Sequence, residues 1–176
     1  MFKKFNGNVI EDYAGYVRDY VNEHNNIDVI VATDSQSEGD RTKFSTVIVM
    51  YDKGTDGHGH GGHCIARRWY TPRYPQKMRR ERLLKEVEES VKVAVHLKDN
   101  GVHVAYVDID VSPKKKEGSN EVFNEAVAMV EWENFNCRWK TVAPLATATA
   151  DHIVKQRHGY PRKVRKARRE DQRTLR

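Results

Sequence analysis

Apolar positions along this chain recur in two rhythms. From Ile27 to Ala32 they run nearly unbroken and β-branched, bounded by Asn25-Asn26 and Asp34-Ser35-Gln36, which predicts a strand buried on both faces. From Lys43 to Tyr51, Phe44, Thr46, Ile48 and Met50 alternate with Ser45, Val47, Val49 and Tyr51 as a second strand, and a third resumes at His63 to Tyr70 after a glycine-rich interval. Short connections join the three, so an antiparallel meander is expected. The other rhythm is helical. Ile10, Tyr13, Ala14, Val17 and Val21 predict a helix over residues 9–24 with Asn8 as its cap. Leu83, Leu84, Val87, Val91, Ala94 and Val95 mark the buried side of a long helix from about Gln76 to Asp99, entered past Pro72 and Pro75 and ended by Asn100-Gly101. A fourth strand follows at Val102 to Val107, then a helix capped by Ser119, a fifth strand at Cys137 to Val142 and a last helix from Thr147 to Gln156.

A chain of 176 residues holds one domain with a full core. We expect an N-terminal helical extension over residues 1–26, the main domain over 27–156 and a basic C-terminal tail over 157–176. No apolar run reaches membrane-spanning length and the N-terminus has no export signal, so a cytoplasmic protein with no membrane partner is expected. Cys64 and Cys137 cannot build the disulfide framework of a small secreted domain and are expected to be reduced. The formal charge of +6 is uneven: Lys155 and the residues after it carry a net +8, leaving the body slightly acidic. Such a tail, with Lys163, Arg165 and Lys166 at its centre, suits phosphate contacts with nucleic acid, where each contact releases counterions. A solubilising tail would have the same composition.

Carboxylates stand where the pattern puts chemistry. Asp34 closes the first strand, and Val107-Asp108-Ile109-Asp110 ends the fourth with two acids on one face. Glu86 borders the apolar stripe of the long helix, with Glu81 as its competitor, and Asp151 falls in or near the first turn of the last helix. Each has a plainer role available: an Asx turn for Asp34, a flank charge for Glu86, a favourable helix dipole for Asp151. His58, His60, His63 and Cys64 offer zinc-type ligands around the glycine-rich loop, but no second ligand pair lies nearby, and a flexible hairpin tip is the favoured account of them.

The order helix, three-stranded meander, helix, strand, helix, strand, helix resembles the ribonuclease H fold: an α/β, five-stranded mixed sheet, antiparallel meander plus two parallel strands, flanked by helices. In that fold the first and fourth strands lie side by side, which would gather Asp34, Asp108, Glu86 and Asp151. The strings Val-Ala-Thr-Asp-Ser-Gln at 31 to 36, Val-Asp-Ile-Asp at 107 to 110 and Pro-Leu-Ala-Thr-Ala-Thr-Ala-Asp at 144 to 151 resemble the YkuK-type family of ribonuclease H-like proteins, over about Ile27 to Asp151. That family has Asp-Ile-Asn where this chain has Asp108-Ile109-Asp110, so Asp108 matches the family's ligand and Asp110 is an additional acid. The resemblance implies a nuclease with Asp34, Asp108 and Asp151 as ligands of Mg2+ or Mn2+, two ions in all, and Glu86 as a fourth catalytic acid. Hard cations take oxygen ligands, and an ion pair can stabilise both the attacking and the leaving oxygen at phosphorus. Ser35 and Gln36 are candidates to touch substrate. The alternative is a non-catalytic nucleic-acid-binding module on the same fold; a structural protein would use the acids only as caps.

Overall fold

The computed structural model describes residues 1–55, 61–114, 118–140 and 145–155. In chain order the elements are β1 (Phe2–Lys3), β2 (Val9–Ile10), α1 (Tyr13–Glu23), β3 (Ile27–Glu38), β4 (Arg41–Asp52), β5 (Gly61–Pro72), α2 (Arg79–Asp99), β6 (Val104–Ile109), α3 (Phe123–Trp132), β7 (Cys137–Trp139) and α4 (Leu145–Lys155). Short 3-10 turns lead into α2 and α3. The strands form one mixed sheet in the order β2-β1-β5-β4-β3-β6-β7. β3, β4 and β5 are the expected meander, β3 and β6 are parallel neighbours, and β7 is parallel to β6.

The sheet has seven strands rather than the expected five. Val9 and Ile10 do not begin a helix; they pair with Phe2 and Lys3, and Lys3 pairs with Ala66 of β5. The helix starts only after Asp12, whose Oδ1 accepts the Gly15 N–H at 2.9 Å. Gly15 leaves room for that cap, because a Cβ there would lie 2.3 Å from the Asp12 carboxylate as it is placed. Two-residue strands leave no periodicity in a sequence, and a helical stripe running back through Ile10 concealed both.

β3 also continues past Asp34. It pairs with β4 as far as Glu38↔Arg41, and the chain reverses through Gly39-Asp40 with φ +62 at Gly39, a backbone that glycine adopts without strain. β6 begins and ends two residues later than expected, and β7 is shorter. α4 starts at Leu145, which puts Asp151 in its middle and removes the helix-dipole account of that residue.

Alternation divides the core between the two faces. Val29 and Val31 of β3 join Ile48, Met50 and Ile65 under α1, α2 and α3, whereas Ile30 and Ala32 join Val47, Val49 and Cys64 under α4. Helices therefore cover both sides of β3. Among the described residues no helix is long and apolar enough to cross a membrane.

Candidate active site

The site arises where one neighbour of β3 runs out. Beyond Ala32↔Asp108 the pairing with β6 stops, while β4 stays paired with β3 for six further residues. This leaves a notch at the C-terminal end of β6. Asp34, on the same face as Ile30 and Ala32, points toward α4; Ser35 points toward α2. Continuing the parallel register two residues past Ala32↔Asp108 brings Asp110 level with Asp34. A cavity of about 420 Å3 opens there, lined by the carboxylates of Asp34, Glu86, Asp110 and Asp151 and by Arg79, Arg82, Lys140 and Lys155.

Burial and mutual repulsion make this cluster costly to ionise. Asp34 is 8% exposed, and its carboxyl is pushed up to about 7, first by burial and then by the charges of Asp110 and Asp151, against a lowering hydrogen bond from the Ser35 backbone. It also shares a side-chain hydrogen bond with Asp151. Glu86 is pushed up to about 8 by burial and by the charge of Asp34, with Arg82 and Ser35 pulling the other way. Ser35 Oγ donates to Glu86 Oε1 at 2.5 Å, and Arg82 NH1 donates to the same oxygen at 2.9 Å. One turn along α2, Ser90 Oγ lies 3.0 Å from Thr33 Oγ1 and 3.0 Å from the Glu86 carbonyl, pinning this turn to β3.

The outer acids have lysine partners. Lys155 sits 2.6 Å from Asp151 one helical turn away, and Lys140 sits 3.5 Å from Asp110. Asp108 is placed differently. It is 1% exposed, receives Arg138 Nε at 2.7 Å and NH2 at 3.0 Å, and accepts the Ala146 N–H at the start of α4 at 3.2 Å. Burial raises its pKa, while Arg138 and then the Ala146 bond lower it. The Arg138 guanidinium also lies over Tyr106, 4.1 Å from the ring centroid.

The structure thus brings together Asp34, Glu86 and Asp151 with Ser35 and Gln36 on the cavity wall, adds Asp110, and leaves Asp108 and Glu81 off it. Lys163, Arg165, Lys166, His58 and His60 lie outside the described residues. His63 Nε2 is hydrogen-bonded to Tyr16 Oη at 2.8 Å and its ring stacks on Tyr20, while Cys64 is buried with its thiol pushed up to about 11. Among the described residues, no three His, Cys, Asp or Glu side chains converge to hold a metal ion, in this loop region or in the acidic cavity.

The fold agrees with the family comparison, in which residues 8–155 match the ribonuclease H-like family. The chain belongs to that family. No curated protein and no solved structure matches it. Ribonuclease H-like proteins are often nucleases, generally associated with nucleic acid, and often use divalent metals. Within this ribonuclease H-like chain, the sequence pattern set Asp110 beside Asp108 on one strand face and left its role open, and it missed the basic residues that line the cavity, Arg79, Arg82, Lys140 and Lys155.

Proposed function

We propose that this ribonuclease H-like protein is a divalent-metal-dependent nuclease whose metal-holding acids are Asp34, Asp110 and Asp151, with Glu86 bordering them. The observation that carries this reading is the gathering of four carboxylates around one cavity, two of them with pKa values near or above neutrality. An all-oxygen donor set of this charge fits Mg2+ or Mn2+ in chemistry. In geometry no three of these acids converge on one ion position as they stand, so an ion would have to draw the carboxylates together and displace Lys140 and Lys155, both about half exposed, from the outer two. When bound, such ions activate water and steady the leaving oxygen of a phosphodiester.

The protein's own groups prepare the site. Ionisation of Asp34 is opposed by its burial and by the charges of Asp110 and Asp151, so the site favours a counter-cation. Ser35 and Arg82 fix the Glu86 carboxyl at the cavity's inner wall. Asp108, clamped by Arg138 and capping α4, holds the helix that carries Asp151. Gln36 borders the opening, and Lys163, Arg165 and Lys166, in a basic arm over 157–176 outside the 27–156 domain, supply phosphate contacts that position without specifying. The YkuK-type resemblance and a cytoplasmic location belong to the same proposal.

The second reading, a non-catalytic nucleic-acid-binding module, is favoured by the lysines already neutralising Asp110 and Asp151. End-labelled single-stranded, duplex and hybrid substrates, incubated with Mn2+, Mg2+ or chelator, separate the two. Metal-dependent products that disappear in Asp34→Asn and Asp110→Asn support the nuclease. Binding without cleavage on every substrate supports the module.

A further inference from the structure

The first turn of α2 carries charges of the wrong sign for a helix start. Arg79, Arg80 and Arg82 crowd an end where the backbone dipole is positive, with Glu81 the only acid among them. Arg80 is paired with Glu125 and Arg82 with Glu86. Arg79 has no carboxylate partner among the described residues; its guanidinium fills the space beside Gly118, where a Cβ would meet its NH1 at 2.1 Å. Arg73 likewise has no carboxylate partner among them; its guanidinium donates to the Gly39 carbonyl at 3.2 Å.

Both arginines line a second cavity, of about 390 Å3, which carries no acid. It shares Ser35, Gln36, Arg79 and Arg82 with the acidic cavity, so the two open side by side. A nucleic-acid strand presented to carboxylates meets repulsion at its phosphate, and two guanidiniums without a carboxylate partner among the described residues, immediately beside them, offset it. Guanidinium is also the side-chain group whose fork matches phosphate oxygens.

We infer that this arginine groove binds the backbone phosphate adjoining the one offered to the acidic cavity, with Arg73 and Arg79 as its contacts and Arg82 as the shared wall. The inference rests on the nuclease reading for what lies next door, but the groove's binding is measurable without cleavage. Binding of a fluorescent single-stranded oligonucleotide to the full chain is followed by anisotropy in chelator across a salt series. The Arg73→Gln/Arg79→Gln variant should bind more weakly and show a salt slope shallower by roughly 1.4, at about 0.7 for each lost single-strand phosphate contact. Gly118→Ala, which displaces Arg79 while keeping the net charge, should weaken binding in the same direction. An unchanged slope and affinity in both overturns the groove. Inorganic phosphate is titrated alone by calorimetry: binding of that ion to the groove with an unmoved oligonucleotide slope overturns the nucleic-acid assignment. If no substrate is ever cleaved and the slope still falls, the groove stands and the nuclease reading fails. If Mn2+-dependent cleavage is present and the slope is unmoved, the reverse holds.

Discussion

Glu86 gives the metal-free protein a pH dependence of unusual sign. Its carboxyl lies at about 8 in the fold against an ordinary 4.5, so the folded protein holds a proton that the unfolded chain releases. Stability from this group is fully present below pH 4.5 and is lost as pH rises toward 8. At 1.36 kcal/mol per pH unit the full difference is about 5 kcal/mol, of which about 4 kcal/mol falls between pH 5 and pH 9. Asp34, at about 7 against 3.8, pushes in the same direction. Urea denaturation in chelator at pH 5 to 9 should show the wild-type midpoint falling steadily, whereas Glu86→Gln, which keeps an acceptor for Ser35 Oγ, should lose roughly half of that slope, Asp34 keeping the rest. Saturating Mg2+ or Mn2+ at pH 8 should restore wild-type stability by about 2.7 kcal/mol at one hundred times the dissociation constant. A wild-type profile that is flat or rises with pH, or a Glu86→Gln slope equal to wild type, would refute the argument from burial and crowding.

Three further outcomes follow from the same geometry. Asp108→Asn removes the buried anion that the partly buried Arg138 grips with two nitrogens and should cost about 3 kcal/mol in urea denaturation; a loss below about 1 kcal/mol would mean the pair is not structural. Lys155→Met removes the ammonium that occupies Asp151, and calorimetry should find Mn2+ bound a few-fold more tightly; weaker binding would show that the lysine does not compete. Asp12→Ala removes the cap of α1 and should lower stability by about 1 kcal/mol without moving any cleavage rate, which thermal denaturation and an end-label assay check together.

The strands of the meander and the long helix could be read from the chain because each buries enough side chains to impose a clear period. β3 is apolar on both faces since helices cover both, and β4 alternates in size across the same two cores. Asp34, Glu86 and Asp151 could be found for the same reason: each interrupts or borders a strong pattern. The N-terminal strands were hidden by their length. The start of α1 was hidden by a competition between two good capping residues, Asn8 and Asp12, which only the pairing of Val9 and Ile10 with β1 decides.

Asp108 and Asp110 show where sequence periodicity stops informing. The pleat says that both point to one face of β6 but not how deep each lies, because depth is set by register against β3. Pairing with Ala32 seats Asp108 under α4, where an unpaired carboxylate would be prohibitive, so Arg138 and the Ala146 N–H neutralise it. Two residues further on the strand has ended and Asp110 reaches the cavity beside Asp34. The two acids therefore divide the labour. The inner one joins β6, β7 and the start of α4, fixing the helix that delivers Asp151; the outer one adds charge at the cavity. Loss of the inner acid should consequently impair function only through the placement of Asp151 and in step with lost stability, whereas loss of the outer one should impair it in a protein as stable as wild type.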